Sequence, residues 1–442
     1  MKTKGQIEKL YYGVTFLQWL AVAMMLPLVV LFFQSRGMSL LNVAMLMTVY
    51  SGVIVLLEVP TGGLADSLGR KRVAVWAYSL DLLVSVVMLF AFSWPMMVVA
   101  CMLMGVARAL SSGALDAWFV DAWQGVAEAG AELQAALARV QGVTLLALAL
   151  GSFIGGWLPG LFAGLPADGT AVITPLTIPI VAALCLRAVV LVIVVIGVRE
   201  ERTAEQEVGL LAGVRQVPTI IRDAVGVCRE EPILPWMLGG AVIMGLSLMA
   251  LETFWQPFFA VLLGGEEGQP HGVGQTHWFG IIMGGNFLWG VVGSIMATPL
   301  SRLFKQQYGL LLGVMGVVQA GLLMFLSQQT SFWAAVIAFW SVYMVMGVMN
   351  SPIGAIYNEA IPSAQRSSLL SVQSLMGHVG SISSGLVIGY IAEKWGVGAA
   401  WFVVSWLIML SLVIYLRVHT LREKNYGTSE EVFPLTQEAN IG

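Results

Sequence analysis

Six charged side chains and one histidine fall inside long apolar runs of this 442-residue chain: Glu58, Asp81, Arg108, Asp116, Arg187, Glu252 and His378. A charge at the centre of a membrane segment costs on the order of 2.5–3.5 kcal/mol, so such residues pair, stay neutral or line a water-filled path. Counted at about 1.5 Å per residue from the nearest polar flank, Glu58 lies roughly 12 Å deep and Asp81 about 13 Å. Arg187 and Arg108 follow at roughly 18 and 19 Å, with Asp116 shallower at about 7 Å. Three acids therefore face two arginines at overlapping depths. Two guanidiniums cannot neutralise three carboxylates, which leaves one acid to stay protonated and able to carry a proton. Glu58 is the first choice, because it precedes Pro60 and Gly62, where a helix is loosened; Asp81 is the second. The alternative is that all five form a buried ion network that locks helix packing.

The second half carries different chemistry. Glu252 and Gln256 are four apart and share a helix face, with Trp255 adjacent and Pro257 set to kink the helix. A polar pair beside an indole reads as the lining of a cavity, and Trp19 and Trp118 are the other indoles placed to join it. His378 is either a helix-contact histidine or a proton relay. Cys101, Cys185 and Cys228 are odd in number and sit in or beside apolar runs, which suggests neither a disulfide framework nor a metal site. The sequence contains no phosphate-binding loop, metal-ligand cluster or nucleophile triad, so an ATP-driven pump, an enzyme and a cofactor are not expected. A net charge of -3 gives no support for a nucleic-acid partner.

The elements that must position these residues are helices in a bilayer. The chain is 58% hydrophobic and 11% charged, a balance that describes an all-α polytopic membrane protein. Apolar runs long enough to span recur near 11–33, 40–64, 73–93, 95–120, 136–160 and 173–198, then near 233–263, 277–300, 308–327, 331–357, 368–391 and 398–418. The first run shows no small-residue cleavage site and is expected to stay as a helix. Of the 22 lysines and arginines, Arg108 and Arg187 lie within runs and Arg36 and Lys394 on one side. The remaining 18 lie on the other side, which predicts two cytoplasmic termini in the plasma (cytoplasmic, inner) membrane.

The expected organisation is a six-helix bundle over 1–198, a cytoplasmic linker over 199–232, a second bundle over 233–420 and a disordered polar tail over 421–442. The linker's VRQVPTIIRDAVGVCRE reads as a surface helix at headgroup level. A weak repeat relates the bundles: LARVQG recurs as LLSVQS, and GALDAWFVDA as SPIGAIYNEA, which puts Glu359 at the place of Asp121. The turn GGLADSLGRKRV maps onto TPLSRLFKQQ, where the glycines are gone and Arg302 stands at the place of Asp66.

That turn, Gly62 to Val73, reads as a tight hinge with two helix-breaking glycines, an acid and three cations. With Gly63, Leu64, Asp66, Gly69, Arg70 and Lys71 on the pattern, it resembles the loop between helices two and three of the major facilitator superfamily of secondary transporters. The resemblance implies 12 transmembrane helices in two pseudo-symmetric six-helix bundles, a monomer working by alternating access, and a small-molecule substrate bound between the halves. It places Gln18, Trp19, Arg108, Glu252, Gln256 and Asn350 on the central cavity. It also implies a cytoplasmic latch, in which Asp66 pairs with Arg366 across the halves and Arg70 with Asp121 within one. In GVTLLALALGSFIGGWLPG, the spacing of Gly142, Gly151, Gly155 and Gly160 resembles the fifth-helix signature of drug:proton antiporters. Gly156 stands where that signature has proline, and Pro159 where it has glycine. The superfamily's usual fourth-helix arginine falls at Cys101, with Arg108 one stretch deeper. The function implied is proton-coupled efflux of hydrophobic or amphipathic small molecules. The alternatives are proton-coupled uptake of a small organic solute, or a receptor or lipid-moving protein without coupled flux.

Overall fold

A computed structural model describes residues 3–111, 113–126, 133–167, 169–200, 222, 226–264, 273–361 and 366–426; for 58–60, 62–67, 273, 366–368, 370 and 425–426 it describes the backbone alone. Among these residues the regular structure is helical throughout, in windows of mean hydropathy 1.5 to 3.0. Span 1 is α1 (Lys4–Met25) and α2 (Val29–Ser35), bent by 43° around Pro27, which has no N–H to continue the helix. Spans 2 and 3 are α3 (Leu40–Leu68) and α4 (Arg70–Phe90). Span 4 is split into α5 (Trp94–Ser111) and α6 (Ala114–Gln124) at Gly113, whose φ of 78° is left-handed. Spans 5 and 6 are α7 (Leu133–Leu161) and α8 (Ile178–Gly197).

The second half repeats the plan with α9 (Leu234–Leu262), α10 (Thr276–Leu303), α11 (Tyr308–Ser327) and α12 (Phe332–Ala360) as spans 7 to 10. Span 11 is α13 (Arg366–Ser383), a π-helical turn at Ser384–Ile388, and the start of α14 (Gly389–Tyr426). Gly396, with φ 83° and ψ 163°, reverses the chain inside α14, and the remainder of that helix is span 12.

Packing makes the repeat visible. In the first six spans, 1 packs on 5 and 6, 4 on 2 and 3, and 3 on 6; in the second, 7 packs on 11 and 12, 10 on 8 and 9, and 9 on 12. The halves meet where span 5 lies on span 8 and span 2 on span 11. An even number of crossings puts both helical ends on one face, the termini face. Large apolar side chains such as Leu56, Trp157, Ile196 and Ile295 are exposed on the outside, as lipid requires.

Small residues let the halves touch at the far face. A methyl on Gly156 of α7 would stand 2.5 Å from the Gly280 Cα of α10, and one on Gly389 would stand 2.6 Å from the Ala44 Cβ of α3. Gly151 and Gly155 instead receive the backbone of α1 at Leu20 and Met24. This glycine row is thus a packing surface within a half that ends in an inter-half contact.

Three expectations change. α3 runs through Gly62 and Gly63 to Leu68, so the chain turns only at Gly69, with φ 98°; inside a helix those two glycines lose no backbone hydrogen bond and merely lower its propensity. The helix of span 12 passes 420 and continues to Tyr426, because Arg422 is held by two other elements. Span 4, read as continuous, is broken in its middle. The amphipathic stretch 214–230 lies outside the described residues except at 222 and 226–230.

Candidate functional site

The polar side chains of the first half include a group anchored by hydrogen bonds. The anchored group is centred on Asp81 of α4. Gln18 of α1 donates to its Oδ2 at 2.8 Å, and Arg187 of α8 donates to its carbonyl at 3.2 Å and to Ser85 Oγ one turn on. The guanidinium also acts on the Asp81 carboxylate through space. These contacts fix three helices of one half to one another.

Arg108 acts on the same carboxylate through space. It occupies the last turn of α5, where the break in span 4 leaves carbonyls without helical partners and favours a cation. Asp116 occupies the first turn of α6 on the other side of the break, where an acid is favoured. Arg108 is exposed although it lies deep in the span, and its guanidinium stands 5.9 Å from the Trp19 ring centroid.

Glu252 of α9 answers it from the second half. Its side chain is exposed at mid-span. Tyr50 of α3 lies within electrostatic reach of Arg108, Glu252 and Asp81 together. Tyr343 of α12 lies within electrostatic reach of Glu252 and beside Asn286 of α10. Charged side chains exposed inside spans of opposite halves call for water or a partner and not for lipid, which marks the space between the halves as the candidate cavity. Among the described residues, the small-residue contacts that join the halves lie toward the far face.

The other expected residues are distributed more widely. Asp116 accepts a hydrogen bond from the Tyr11 hydroxyl, whose ring stacks on Phe119 at 4.2 Å. Trp118 does not line the cavity: it is buried in the core of its half, with Nε1 donating to the Arg199 carbonyl at 2.9 Å. Trp255 is likewise buried, within 5.7 to 6.3 Å of the Phe259, Phe279 and Phe339 rings. Gln256 is 1% exposed and bonded to span 1, so it does not share the cavity with Glu252. Four residues advance a helix by about 6 Å, which carries Gln256 past the end of the cavity into the seal. Asn350 is exposed on α12. His378 lines a second cavity of about 440 Å³, within the second half, beside Met244, Tyr357, Gln373 and Ser381.

At the turn after α3, Arg70 pairs with the Asp121 carboxylate and donates to the Ala117 carbonyl at 2.6 Å. Glu200 accepts from the Arg70 and Lys71 backbone N–H groups at 2.8 and 3.1 Å, and Lys71 Nζ reaches the Val195 carbonyl at 2.8 Å. The side chains of Glu58, Asp66 and Arg366, and the surroundings of Gly63, lie outside the described residues.

Tyr50, Ser85, Asn286 and Tyr343 belong to the site and were not singled out from sequence. Asn286 carried a usable signal, an amide within a long apolar run. The tyrosines carried none, since a phenol in such a run reads equally well as an interfacial ring. Among the described residues no group of three or more His, Cys, Asp or Glu could hold a metal ion.

Known proteins share this arrangement of helices. The family model described as Major Facilitator Superfamily matches residues 11–384. An uncharacterized MFS-type transporter of Bacillus subtilis (strain 168), YxaM, is 20% identical over 417 residues, covering 94% of this chain and 97% of its own. Among solved structures, a mutant of the nucleoside transporter NupG superposes with a TM-score of 0.73 at 12% identity, over 93% of this chain and 99% of that one. The human organic anion transporter MFSD10 (TETRAN) superposes with a TM-score of 0.61 at 15% identity, over 94% and 100%.

Proposed function

Since this chain belongs to the Major Facilitator Superfamily, we propose that it is a proton-coupled secondary transporter that expels small amphipathic organic molecules by alternating access. The observation that carries the reading is that Glu252 and Arg108, one from each half, are both exposed within their spans and both act through space on Tyr50. A carboxylate in that position can be neutralised either by a proton or by the guanidinium, and exchanging one for the other couples protonation to the approach of the halves. Glu252 is therefore our proton carrier, and Asp81, tied to Gln18 and Arg187, holds helices in place. Trp19, Tyr50 and Tyr343 offer aromatic faces, a lining suited to an amphipathic solute. Asn350 and the His378 cavity lie on its route.

The density of Lys and Arg at the termini face supports a cytoplasmic placement of that face in the plasma membrane. The state seen here is then inward-open. A latch of Asp66 with Arg366 belongs to the opposite, outward-open state, with Arg70 and Asp121 steadying the turn in both. The two halves are placed over 1–198 and 233–420, and the working unit is a monomer.

Uptake is the second reading, favoured by the superposition on nucleoside transporter NupG along nearly the whole of both chains. Proteoliposomes separate the two. Accumulation of a lipophilic dye in vesicles acidified inside reports antiport, while accumulation of a nucleoside in vesicles acidified outside reports symport. In either case Glu252→Gln is expected to lose more than 90% of gradient-driven accumulation while keeping solute exchange. Gradient-driven transport that survives this substitution would overturn the assignment of Glu252.

A further inference from the structure

We infer that Gln256 is a clasp that holds the far face closed, by supplying from the second half the hydrogen bonds that the break in span 1 leaves unmade. The need for such a group arises in the sequence LPLVV, Leu26 to Val30. Pro27 ends α1, and α2 restarts at Val29 with Leu28 as its flanking residue, whose side chain has no atom that could cap it. The N–H groups of Val30 and Leu31 belong to the first turn of α2 and have no helical acceptor. The Leu26 carbonyl is left over on the other side of the bend.

Gln256 matches this set. Its Oε1 accepts from Val30 N at 2.8 Å and from Leu31 N at 3.3 Å, and its Nε2 donates to Leu26 O at 2.8 Å. A primary amide presents an acceptor with two lone pairs and a donor on the same carbon, at any pH. Water does not stand in for it in this state: Gln256 and Val30 are each 1% exposed and Leu31 is 4% exposed. The surroundings are a shared apolar plug in which Leu28, Leu31 and Ala44 of the first half pack with Phe254, Trp255 and Phe279 of the second.

The rim supplies a contrast. Glu393 of α14 also crosses the halves, accepting from Leu41 N at 3.0 Å at the start of α3. That contact is exposed, so water replaces it at little cost. The Gln256 contacts can be replaced only after the plug has parted. Three hydrogen bonds must then fail together, at the step that admits water. This makes the closed far face a distinct state separated by a barrier, and it places the barrier one helical turn from Glu252 on the same helix.

The inference rests on the alternating-access reading, but its test is a distance and not a flux, so the two can fail separately. Spin labels at Ala163 and Gln328, exposed at the far ends of α7 and α11, report far-face opening in lipid nanodiscs; labels at Gln134 and Lys424 report the termini face. In the otherwise unchanged chain the far-face distance should be dominated by one short population. Gln256→Leu, close in volume but without the amide, should raise the ratio of open to closed far face at least tenfold. Gln256→Met, which keeps the length of the side chain but cannot donate and is at most a weak acceptor, should give a rise of the same sign. Gly156→Val is the control that wedges the seal without touching the clasp. If Gln256→Leu is monodisperse and its distances stay within twofold of the parent ratio while Gly156→Val opens the far face, the clasp is overturned and transport is not. If Gln256→Leu cannot be recovered, the Gln256→Met distances decide: an unchanged distribution overturns the clasp. A parent protein that shows no solute-dependent change in either distance overturns the alternating-access reading itself.

Discussion

The turn between α3 and α4 and the turn between α10 and α11 occupy equivalent places in the two halves, yet they are tied down with opposite charges. In the first, the cation is on the turn: Arg70 reaches the Asp121 carboxylate and the Ala117 carbonyl of span 4, and Glu200 at the end of span 6 accepts two backbone N–H groups of the turn. In the second, the cation is at the end of span 12. Arg422 makes a bidentate pair with Glu359 of span 10 at 2.8 and 2.9 Å, donates to the Gln306 carbonyl of the turn at 2.9 Å, and lies 4.6 Å from the Tyr308 ring centroid. The acid on span 4 or 10 is common to both. What the architecture requires is a polar tie among the turn, that acid and the last span of the half; which partner brings the cation is free to change. A repeat that looks eroded in sequence is therefore intact as a set of contacts.

The largest way to break this comparison is Arg422→Ala. It removes a bidentate pair, a carbonyl contact and a ring contact at once, and the half-exposed Glu359 lowers the value of the pair, so we expect a loss of about 2 kcal/mol in stability. Thermal unfolding in detergent measures it; a shift under about 0.5 kcal/mol would mean that charge does not hold the second turn. Gly69→Ala comes next. The residue has φ 98°, and an added Cβ would stand 2.9 Å from Glu200 Oε2, so both the backbone and the acid must yield, at about 1–2 kcal/mol. Arg70→Ala is smaller again, about 1 kcal/mol, because Asp121 is largely exposed. Its effect should shrink further in about 1 M salt, where screening acts over roughly 3 Å.

Much of this architecture was legible in the sequence because lipid leaves the chain few options. Twelve apolar runs became twelve spans, and the repeat that put Glu359 at the place of Asp121 is realised as two acids in matching ties. The breaks were less legible. Pro27 and Gly113 sit in runs long enough to be read as single helices, and only the backbone shows that the helix stops there. The candidate site was legible in its charges but not in their company. Depth along a helix can be counted, which brought Asp81 and Arg187 to overlapping depths, whereas the direction in which a side chain points cannot. Glu252 and Gln256 were read as one polar face, and the packing sends the first into a cavity and the second into a seal. Trp118 and Trp255 were misplaced for the same reason, since an indole does not announce whether its surroundings are core or cavity.

The finest test of the comparison reverses the sign. The second turn has lost the glycines of the first, and it makes its bend with Lys305 at φ 50° and Gln306 at φ 62°, two side-chain-bearing residues in the left-handed region. Such a conformation costs an L-residue roughly 1–2 kcal/mol, against the 0.5–1 kcal/mol of chain entropy that a glycine would lose. The Gln306 Oε1 is also buried with no hydrogen-bond partner among the described residues, so removing the side chain removes an unsatisfied acceptor. The backbone carbonyl that Arg422 uses is unaffected. Gln306→Gly should therefore stabilise the protein by up to about 1 kcal/mol, where Gly69→Ala at the partner turn destabilises it by a similar amount. Thermal unfolding of both variants beside the parent measures the pair. A loss of stability in Gln306→Gly would show that its side chain contributes to the tie, and the second turn would then rest on more than Arg422.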